Sequence, residues 1–380
     1  MGTLCILQCR LLVAIQTNDI KHVRQLLELG IDSDIRFQIG SQKRPAICLC
    51  TERGNVQMGK YVQLLIQSGC SINQTDSSGL TPLHIAVSHG YKDLVFILLK
   101  SRANVKTVTP LGYTPLHLAA QRSSLEVIKL LIEAGSDIER YDREGKTPLV
   151  HACIFGNNEI IKYLISLGAD VNTCDIFGNS PLLFVTSAAA INLEIVETLV
   201  ENKAKVDHAN KSGETALHAA ITGRRSKKSE VLQTLINSGC NLNLRTGLGH
   251  TALHLAVLEH EDYLIEILTR AGCNLDTRDE LGLSPLFHLA RDGNFKMAVF
   301  LVAASVNVRN ETWLKDPKLL LEIRNESLKL WLSEIAFECP PLTLMCRIVL
   351  RNSLGRSADN AVGNLDLPTS IKNYVGLKTL

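Results

Sequence analysis

The 380-residue sequence has few aromatic residues, almost no net charge and no long hydrophobic run. Aromatic residues make up 5% of the chain, which leaves little to stack nucleic-acid bases. The 40 basic and 38 acidic residues nearly cancel, so no overall field would draw the chain to nucleic acid or to an anionic membrane. No run of 18 apolar residues is present to span a bilayer. We therefore expect a soluble, unanchored protein with only local charged contacts.

Paired cysteines and a secretion signal are also missing. The eleven cysteines are scattered, and the close pairs Cys5/Cys9 and Cys48/Cys50 lack zinc-site spacing and partners. Reduced thiols are typical of proteins of the cytoplasm or nucleus, where we expect this chain to reside. The apolar amino-terminal run, residues 1–16, has no basic n-region and no small-residue cleavage site, so we expect it to be part of the folded structure.

The chain contains no recognisable catalytic signature. It has no G-x-S-x-G, no H-E-x-x-H and no glycine-rich fingerprint after a strand. The run from Gly54 to Tyr61 has the spacing of a phosphate-binding loop, but Tyr61 stands where Ser or Thr would hold magnesium, and no strand is expected before it. The sequence therefore predicts a binding protein, without catalytic residues, cofactor or metal.

What the sequence does contain is a repeat of about 33 residues. Seven copies, such as "GYTPLHLAA" and "GHTALHLAV", begin at Gly79, Gly112, Gly145, Gly178, Gly213, Gly249 and Gly282. These glycines are separated by 33, 33, 33, 35, 36 and 33 residues. This period, together with T-P-L-H-x-A, resembles the ankyrin repeat, which implies helix pairs that stack into one continuous core.

The repeat beginning at Gly145 illustrates the expected local structure. Thr147 can cap a helix whose first residue is Pro148, because proline needs no hydrogen bond to its missing N–H there. Gly156 can end this helix with a left-handed backbone. A second helix follows and ends at Gly168, with an apolar stripe formed by Ile160, Ile161, Leu164 and Ile165.

The repeats predict an all-α fold with short β-hairpin fingers, arranged as an ankyrin-repeat solenoid of about nine helix-pair repeats. The array is expected to cover residues 1–310, with degenerate repeats over 1–75 and well-formed repeats over 76–310. Two short insertions, in "TSAAAINLE" and "TGRRSKKSE", are expected in loops between paired helices. The second insertion holds a basic run that either contacts an acidic partner or is a solvated loop: Arg224, Arg225, Lys227 and Lys228.

Histidines recur at one position of the repeat. His250 and His254 lie four residues apart, as metal ligands can, but His254 occupies the T-P-L-H or T-A-L-H slot shared by His84, His117 and His218. The recurrence favours a structural hydrogen bond over a metal site.

If the array binds a target, its surface should include the finger tips that precede each glycine. Three successive repeats carry large apolar, aromatic or arginine side chains there, and we name these six residues the tip strip: Leu111, Tyr113, Tyr141, Arg143, Ile176 and Phe177. Tips of stacked helix pairs lie roughly 10 Å apart. Because aromatic and arginine side chains dominate interface hot spots, the tip strip is our candidate target-binding surface. The alternative is that Tyr141 and Phe177 pack on neighbouring hairpins.

A smaller hypothesis concerns Asn172 in "LISLGADVN". Its surroundings resemble those in which ankyrin hairpin asparagines are hydroxylated, and the alternative is an ordinary hairpin asparagine.

The repeat period is lost after Asn310. Residues 311–338 are expected to form a helical connector that begins with Asp316 as a cap and Pro317 as the first helical residue. An unprotected last repeat would expose its apolar flank, so four side chains are predicted to cover it: Leu328, Trp331, Leu332 and Ile335.

The following run, "PPLTLMCRIVL", has more apolar surface than one packing face requires. Leu342, Met345, Cys346, Val349 and Leu350 fall at helical spacing, and further apolar residues flank them. The segment 339–380 is near the size below which a unit rarely folds unaided, so a protein partner is expected to complete it.

This segment resembles a SOCS box, and the whole chain is similar to the ankyrin-repeat and SOCS-box family. Pro341, Leu342, Cys346 and Leu350 fit the elongin C binding motif of that family, within an expected helix over 341–354. Residues 365–375 resemble its cullin box, where Leu365, Leu367 and Pro368 match and Asp366 replaces the first proline. The replacement concerns cullin affinity and choice more than elongin binding.

The resemblance implies a small helical SOCS box and a non-catalytic substrate receptor of a cullin-RING ubiquitin ligase. Its elongin C contacts would be Pro341, Leu342, Met345, Cys346, Val349 and Leu350, and its cullin contacts Leu365, Asp366, Leu367 and Pro368. Its partners would be elongins B and C, a cullin (normally cullin five) with a RING protein, and an unidentified target. The alternatives are an ankyrin scaffold whose tail caps the repeats, and a nucleic-acid cofactor that uses Arg224 and Arg225.

Overall fold

The computed structural model describes residues 2–39, 42–53, 58–122, 124–188, 192–223, 228–304 and 306–337, and the side chains of these residues except 2–6, 8 and 337. Two compact units are present, the first ending at Ile176 and the second beginning at Phe177. None of the helices in these ranges combines the length and the apolar character needed to cross a membrane.

The first unit consists of five helix pairs and one hairpin. The helices are α1 (Gly2–Gln16), α2 (Ile20–Glu28), α3 (Ala46–Arg53), α4 (Met58–Gln67), α5 (Pro82–Ser88), α6 (Lys92–Lys100), α7 (Pro115–Arg122), α8 (Leu125–Glu133), α9 (Pro148–Phe155) and α10 (Asn158–Ser166). Strands β1 (Arg36–Ile39) and β2 (Gln42–Pro45) pair antiparallel, with Arg36 opposite Pro45. The amino-terminal run is part of the fold, as predicted, and forms helix α1.

The second unit adds four helix pairs and a carboxy-terminal cap. Its helices are α11 (Pro181–Ser187), α12 (Leu193–Glu201), α13 (Ala216–Thr222), α14 (Lys228–Asn237), α15 (Ala252–Leu258), α16 (Asp262–Arg270), α17 (Pro285–Asp292), α18 (Phe295–Ala303), α19 (Pro317–Glu322) and α20 (Glu326–Phe337). Two 3₁₀ turns, Val308–Asn310 and Thr312–Lys315, precede α19. The mostly helical fold confirms the predicted class, and α1 to α18 supply the nine predicted helix pairs.

The caps that the sequence predicts are present. The Thr147 hydroxyl accepts a hydrogen bond from the Val150 N–H, Pro148 is the first residue of α9, and Gly156 ends that helix with φ 72° and ψ 27°. A left-handed backbone is cheap for glycine because it has no Cβ. Helix α9 therefore begins and ends at the expected residues.

Within each unit the first helices of successive pairs pack together, and the second helices pack in a parallel outer row. In the repeat of α9 and α10, Leu149, Ile160 and Leu164 are at most 1% exposed. Burying a side chain of this size stabilises the fold by about 1.5–3 kcal/mol. Ile165, predicted to share the apolar stripe, is half-buried at its edge.

We call the loop that joins one helix pair to the next a finger, numbered along the chain. Of the described fingers, the first alone forms a two-stranded ladder, and the later ones close as turns. In the second finger, Asp76 Oδ1 accepts the Ser78 and Leu80 N–H groups at 2.8 and 2.9 Å. The Asp76 side chain thus accepts the backbone N–H groups that a neighbouring strand would bind in a two-stranded ladder.

Both insertions lie between the helices of a pair, as predicted, in the α11–α12 and α13–α14 connections. The prediction for Lys228 is wrong. This residue lies in α14, its side chain is 8% exposed, and its Nζ lies 2.6 Å from Glu261 Oε1. Its charge is therefore neither solvated nor available to a partner, while Arg224, Arg225 and Lys227 lie outside the described residues.

The connector covers the end of the last repeat. Asp316 caps α19 and Pro317 is its first residue, as predicted. Leu328 and Leu332 of α20 are fully buried, while Trp331 and Ile335 are half-buried. The Trp331 ring lies 5.4 Å from the ring of Phe295 in α18. The predicted cap therefore consists of two buried leucines and a partly exposed ring pair.

Candidate target-binding site

The histidines of the T-P-L-H slot join each repeat to the next. His84 Nδ1 accepts the Thr81 N–H at 3.2 Å, so the ring proton is on Nε2, which donates to the carbonyl of Tyr113 in the next repeat. Two further rings make equivalent bonds, His117 to Lys146 O and His254 to Leu283 O, and His218 bonds an earlier carbonyl of the next repeat, Leu244 O. The predicted structural hydrogen bond is thus observed. Among the residues that the structure describes, no His, Cys, Asp and Glu cluster could hold a metal ion.

Two repeats carry their histidine one residue later, a shift that sequence reasoning missed. In "TPLVH" and "SPLFH" the shifted residues are His151 and His288. His151 Nε2 lies 2.8 Å from Asp142 Oδ2, and His288 Nε2 lies 3.0 Å from Asp279 Oδ2. Burial lowers the pKa of both histidines. Each pair ties a finger to the first helix of its own repeat, and the one-residue shift in the motif is the signal that could have revealed it.

The His151 pair lies directly beneath the centre of the tip strip. Asp142 stands between Tyr141 and Arg143 in the fourth finger (residues 134–147), and its Oδ1 also accepts the Glu144 and Lys146 N–H groups at 2.8 and 2.9 Å. Hydrogen bonds to its carboxylate lower the pKa of Asp142 despite its burial. The backbone that presents Tyr141 and Arg143 is therefore held in place from below.

Neighbouring finger tips are joined by main-chain hydrogen bonds. In the first unit, the Arg143 N–H donates to Leu111 O at 3.1 Å and the Ile176 N–H to Glu144 O at 2.9 Å. The second unit has three such bonds: Lys211 to Phe177, Gly247 to Ser212 and Glu280 to Leu248. Successive tips within a unit thus form a connected row.

Glycine is required where these tips approach each other. Gly112 has φ +84°, and a Cβ there would lie 2.7 Å from the Arg143 backbone nitrogen. Non-bonded atoms do not approach this closely, so the two tips can be hydrogen-bonded at this distance only when the residue is glycine.

Five members of the tip strip have exposed side chains. Leu111, Tyr141, Ile176 and Phe177 are 59%, 52%, 50% and 57% exposed, and Arg143 is also exposed. Of these, Phe177 belongs to the second unit and the others to the first. The first unit therefore presents a row of solvent-facing side chains that includes three large apolar or aromatic residues.

Tyr113 differs from the other members of the strip. It is half-buried, with its ring centre 5.1 Å from that of His151 in an edge-on arrangement and 6.2 Å from that of His117. Its ring therefore packs inside the stack and supports the strip from within.

Tyr141 occupies a finger position that arginine uses structurally elsewhere. The position is counted from the glycine that directly follows each helix pair. Six residues after that glycine, three other repeats have Arg36, Arg245 and Arg278. These arginines donate to the backbone carbonyls of Thr75, Arg278 and Asn310 respectively, each of which lies beyond the arginine's own finger. Sequence reasoning missed these bonds as well. A tyrosine has no guanidinium to make this link, and at Tyr141 the ring is left exposed.

The second unit has exposed tips that were not part of the prediction. Leu248 is 64% and Leu281 81% exposed, each directly before a finger glycine. The sequence could have predicted them, because a large apolar residue directly before the glycine is the same pattern that identified Leu111 and Phe177.

Asn172 lies at a position where other repeats use the side chain structurally. The equivalent residues, four places after the glycine that follows the helix pair, are Asn73 and Asn243. Their side-chain Oδ1 atoms accept the N–H groups of Asn104 and Asn274 at 2.9 and 2.7 Å. Asn172 is half-buried, and its own N–H donates to Asp170 Oδ1. Hydroxylation of Asn172 stays a prediction.

The other predicted sites lie partly or wholly outside the described residues. Tyr61, the last residue of the phosphate-loop look-alike, is buried in α4, and helix α3 immediately precedes Gly54. The predicted elongin and cullin contacts, from Pro341 to Leu350 and from Leu365 to Pro368, also fall outside the part of the chain that the structure describes.

Comparisons with known proteins match two family models. The model described as ankyrin repeats (3 copies) matches residues 11–109, 93–175, 167–245 and 224–312. The SOCS box model matches residues 338–375. No curated protein matches the chain.

Among solved structures, the chain is similar to the crystal structure of the ankyrin repeat domain of Bcl-3, described as a unique member of the IkappaB protein family. The two are 28% identical, and the match covers 58% of this chain and 96% of that chain with a TM-score of 0.50.

Proposed function

The chain belongs to the ankyrin-repeat proteins that carry a SOCS box, and on this basis we propose that it is a substrate receptor of an elongin B/C cullin-RING ubiquitin ligase. A SOCS box generally binds elongins B and C and a cullin, and ankyrin repeats bind a target protein. The observation that carries the proposal is the SOCS box match at 338–375, which follows the connector after repeats that end at residue 312.

A receptor of this kind acts by proximity and performs no chemistry itself. It holds a target lysine near the ubiquitin thioester of a conjugating enzyme, which raises the effective concentration of the two reacting groups. Families of this type are adaptors, and the proposed role for this chain needs no catalytic residue, cofactor or metal.

The proposed division of labour follows the chain. Residues 1–310 bind the target, 311–338 connect, and 339–380 recruit the ligase. In the SOCS box, Leu342 and Cys346 fill a pocket of elongin C with Pro341, Met345, Val349 and Leu350 around them. Residues 365–368 contact the cullin, which we propose to be cullin five, with Asp366 in place of a proline.

The target side of the proposal rests on the tip strip. In the first unit its members lie on fingers whose main chains are bonded to each other, and the side chains of Leu111, Tyr141 and Ile176 are exposed to solvent. Tyr141 is the strongest candidate for a hot spot, since it is aromatic, exposed and stands where other repeats hold a structural arginine.

A pull-down of the full chain from cells tests the ligase role. We expect the wild type to recover elongins B and C and a cullin. The Leu342→Ala plus Cys346→Ala variant should recover roughly tenfold less of them, or still less, because a few buried side chains contribute most of the binding energy of an interface. The matched control is Thr343→Ala plus Arg347→Ala, on the polar side of the same predicted helix, which should retain the elongins.

Absence of elongins from the folded wild type would contradict the proposal and leave the scaffold alternative. Proteins retained by both wild type and double variant are target candidates. Their recovery should fall with Tyr141→Ala and Phe177→Ala but persist with Phe96→Ala, an aromatic residue on α6 that is 47% exposed and lies outside the fingers.

A further inference from the structure

The fourth finger carries two arginines whose charges are not used within the described structure. Arg140 and Arg143 flank Tyr141 and Asp142, and both side chains are exposed. Among the described residues, neither guanidinium takes part in a hydrogen bond or an ion pair. By contrast, Arg36 and Arg245 in other fingers donate to backbone carbonyls.

The acidic side chains of the same finger are all engaged. Their partners are the Glu139 N–H for Asp137, the Asp170 N–H for Glu139, His151 for Asp142, and Lys146 for Glu144. None of these carboxylates is paired with Arg140 or Arg143, so the two exposed guanidiniums are left for a carboxylate from outside, in a finger whose four acidic and three basic side chains nearly balance.

Apolar side chains lie on both sides of this charge. Leu111 on the third finger and Ile176 on the fifth are 59% and 50% exposed, and the main chains of the three tips are hydrogen-bonded in a row. Finger tips repeat at roughly 10 Å. An extended chain advances about 3.4 Å per residue, so about three residues of a bound segment would span one finger step.

We propose that the tip strip of the first unit recognises an extended target segment in which Asp or Glu lies between two large apolar residues, the apolar residues being about six positions apart. The apolar side chains would contact Leu111 and Ile176, and the carboxylate would lie against Arg140 and Arg143. This inference rests on the proposed target-binding role of the repeats and names the chemistry of the target.

The geometry favours a carboxylate over a phosphoryl group. A guanidinium donates two parallel hydrogen bonds to a planar carboxylate without needing a further donor. Phosphate sites usually add backbone N–H donors. Here the Arg143 N–H is bonded to Leu111 O and the Glu144 N–H to Asp142 Oδ1, so neither of these main-chain donors is left for a phosphoryl group.

Selection from a random library of dodecapeptides on the purified full chain tests the proposal. We expect enrichment of peptides with Asp or Glu between apolar residues. A synthetic copy of the best peptide should bind about tenfold more weakly when Asn or Gln replaces the acidic residue, as expected for loss of a charge-assisted hydrogen bond. Arg140→Gln plus Arg143→Gln should abolish this preference, since glutamine keeps much of the side-chain stem but not the charge.

The matched control is Arg24→Gln, an exposed arginine of the same unit on helix α2, which should keep the wild-type preference. The proposal is overturned if no peptide is enriched, if enriched peptides lack acidic residues, if the double variant keeps the preference, or if a phosphoserine peptide binds and the Asp or Glu peptide does not. Capture of elongins by the same preparations is read separately, so failure here is distinguishable from failure of the ligase role.

Discussion

At the scale of single residues, the T-P-L-H histidines make the fold sensitive to mild acid. Burial lowers the pKa of His84, His117 and His254 to about 4. An unfolded histidine titrates near pH 6.5, so the unfolded chain binds more protons than the folded chain between about pH 6.5 and 4. Their contribution to stability is complete above pH 6.5 and is lost as the pH falls toward 4.

We expect His254→Gln to flatten this dependence. Glutamine can still serve in a capping box but does not titrate. Each of His84, His117 and His254 should lower the wild-type free energy of unfolding by up to about 3 kcal/mol between pH 6.5 and 4, and the variant should lack one such contribution. Urea denaturation at several pH values measures the difference, and parallel curves for the two proteins would contradict it.

The sequence predicts the role of these histidines but not of the shifted ones. Recurrence in one slot was enough to favour a structural bond for His84 and His254. His151 and His288 face finger carboxylates instead, because one residue along a helix rotates a side chain by about 100°. Such a partner becomes visible only when the finger and the helix are placed together, as with Asp142 and His151.

At the scale of elements, the fingers depend on glycine for two separable reasons. Gly112 and Gly135 both have a left-handed backbone, with φ +84° and +87°. A Cβ at Gly112 would collide with the next finger, whereas a Cβ at Gly135 has no atom within 4 Å. The pair therefore separates backbone strain from close approach.

Alanine at the two glycines should have different costs. Gly135→Ala should lower the free energy of unfolding by about 1 kcal/mol through backbone strain alone. Gly112→Ala should cost about 2–4 kcal/mol, since the collision with the Arg143 main chain adds to the strain. Chemical denaturation of both variants gives the comparison, and equal losses would show that the contact between tips contributes nothing.

Element positions were largely predictable, and contacts between fingers were not. Thr147, Pro148 and Gly156 mark the ends of α9 because capping is a local property of the chain. The link from Arg245 to the Arg278 carbonyl joins residues 33 apart, and no local pattern reveals it. The exposed Tyr141 can be recognised as unusual only once these arginine links at the same position of other fingers are known.

At the scale of the whole molecule, stability in a repeat array is the sum of repeats and their interfaces. The repeat period runs through Ile176 and Phe177 without interruption, which is why the sequence gives no sign that one compact unit ends and the next begins there. Both tryptophans, Trp313 and Trp331, lie in the carboxy-terminal part of the second unit. Their fluorescence therefore reports on that end alone.

We expect Leu332→Ala to unfold this end first. Leu332 is fully buried in α20, and its truncation should cost about 2–5 kcal/mol. The denaturation midpoint from tryptophan fluorescence should fall further than the midpoint from far-ultraviolet circular dichroism, which averages over all helices. Leu330→Ala, at a leucine of the same helix that is 62% exposed, should shift neither midpoint appreciably. Equal shifts of both signals with Leu332→Ala would indicate one cooperative unit.

The main-chain bonds between finger tips also bear on how such a protein can change over evolutionary time. The bond from Arg143 to Leu111 uses only backbone atoms, so most side chains could occupy either position without breaking it. Substitutions at the tips can therefore accumulate at little cost to folding, and a lineage can acquire a new target by point mutation. The glycines between the tips are the exception, because a side chain at Gly112 would collide with the next finger and prevent the bond.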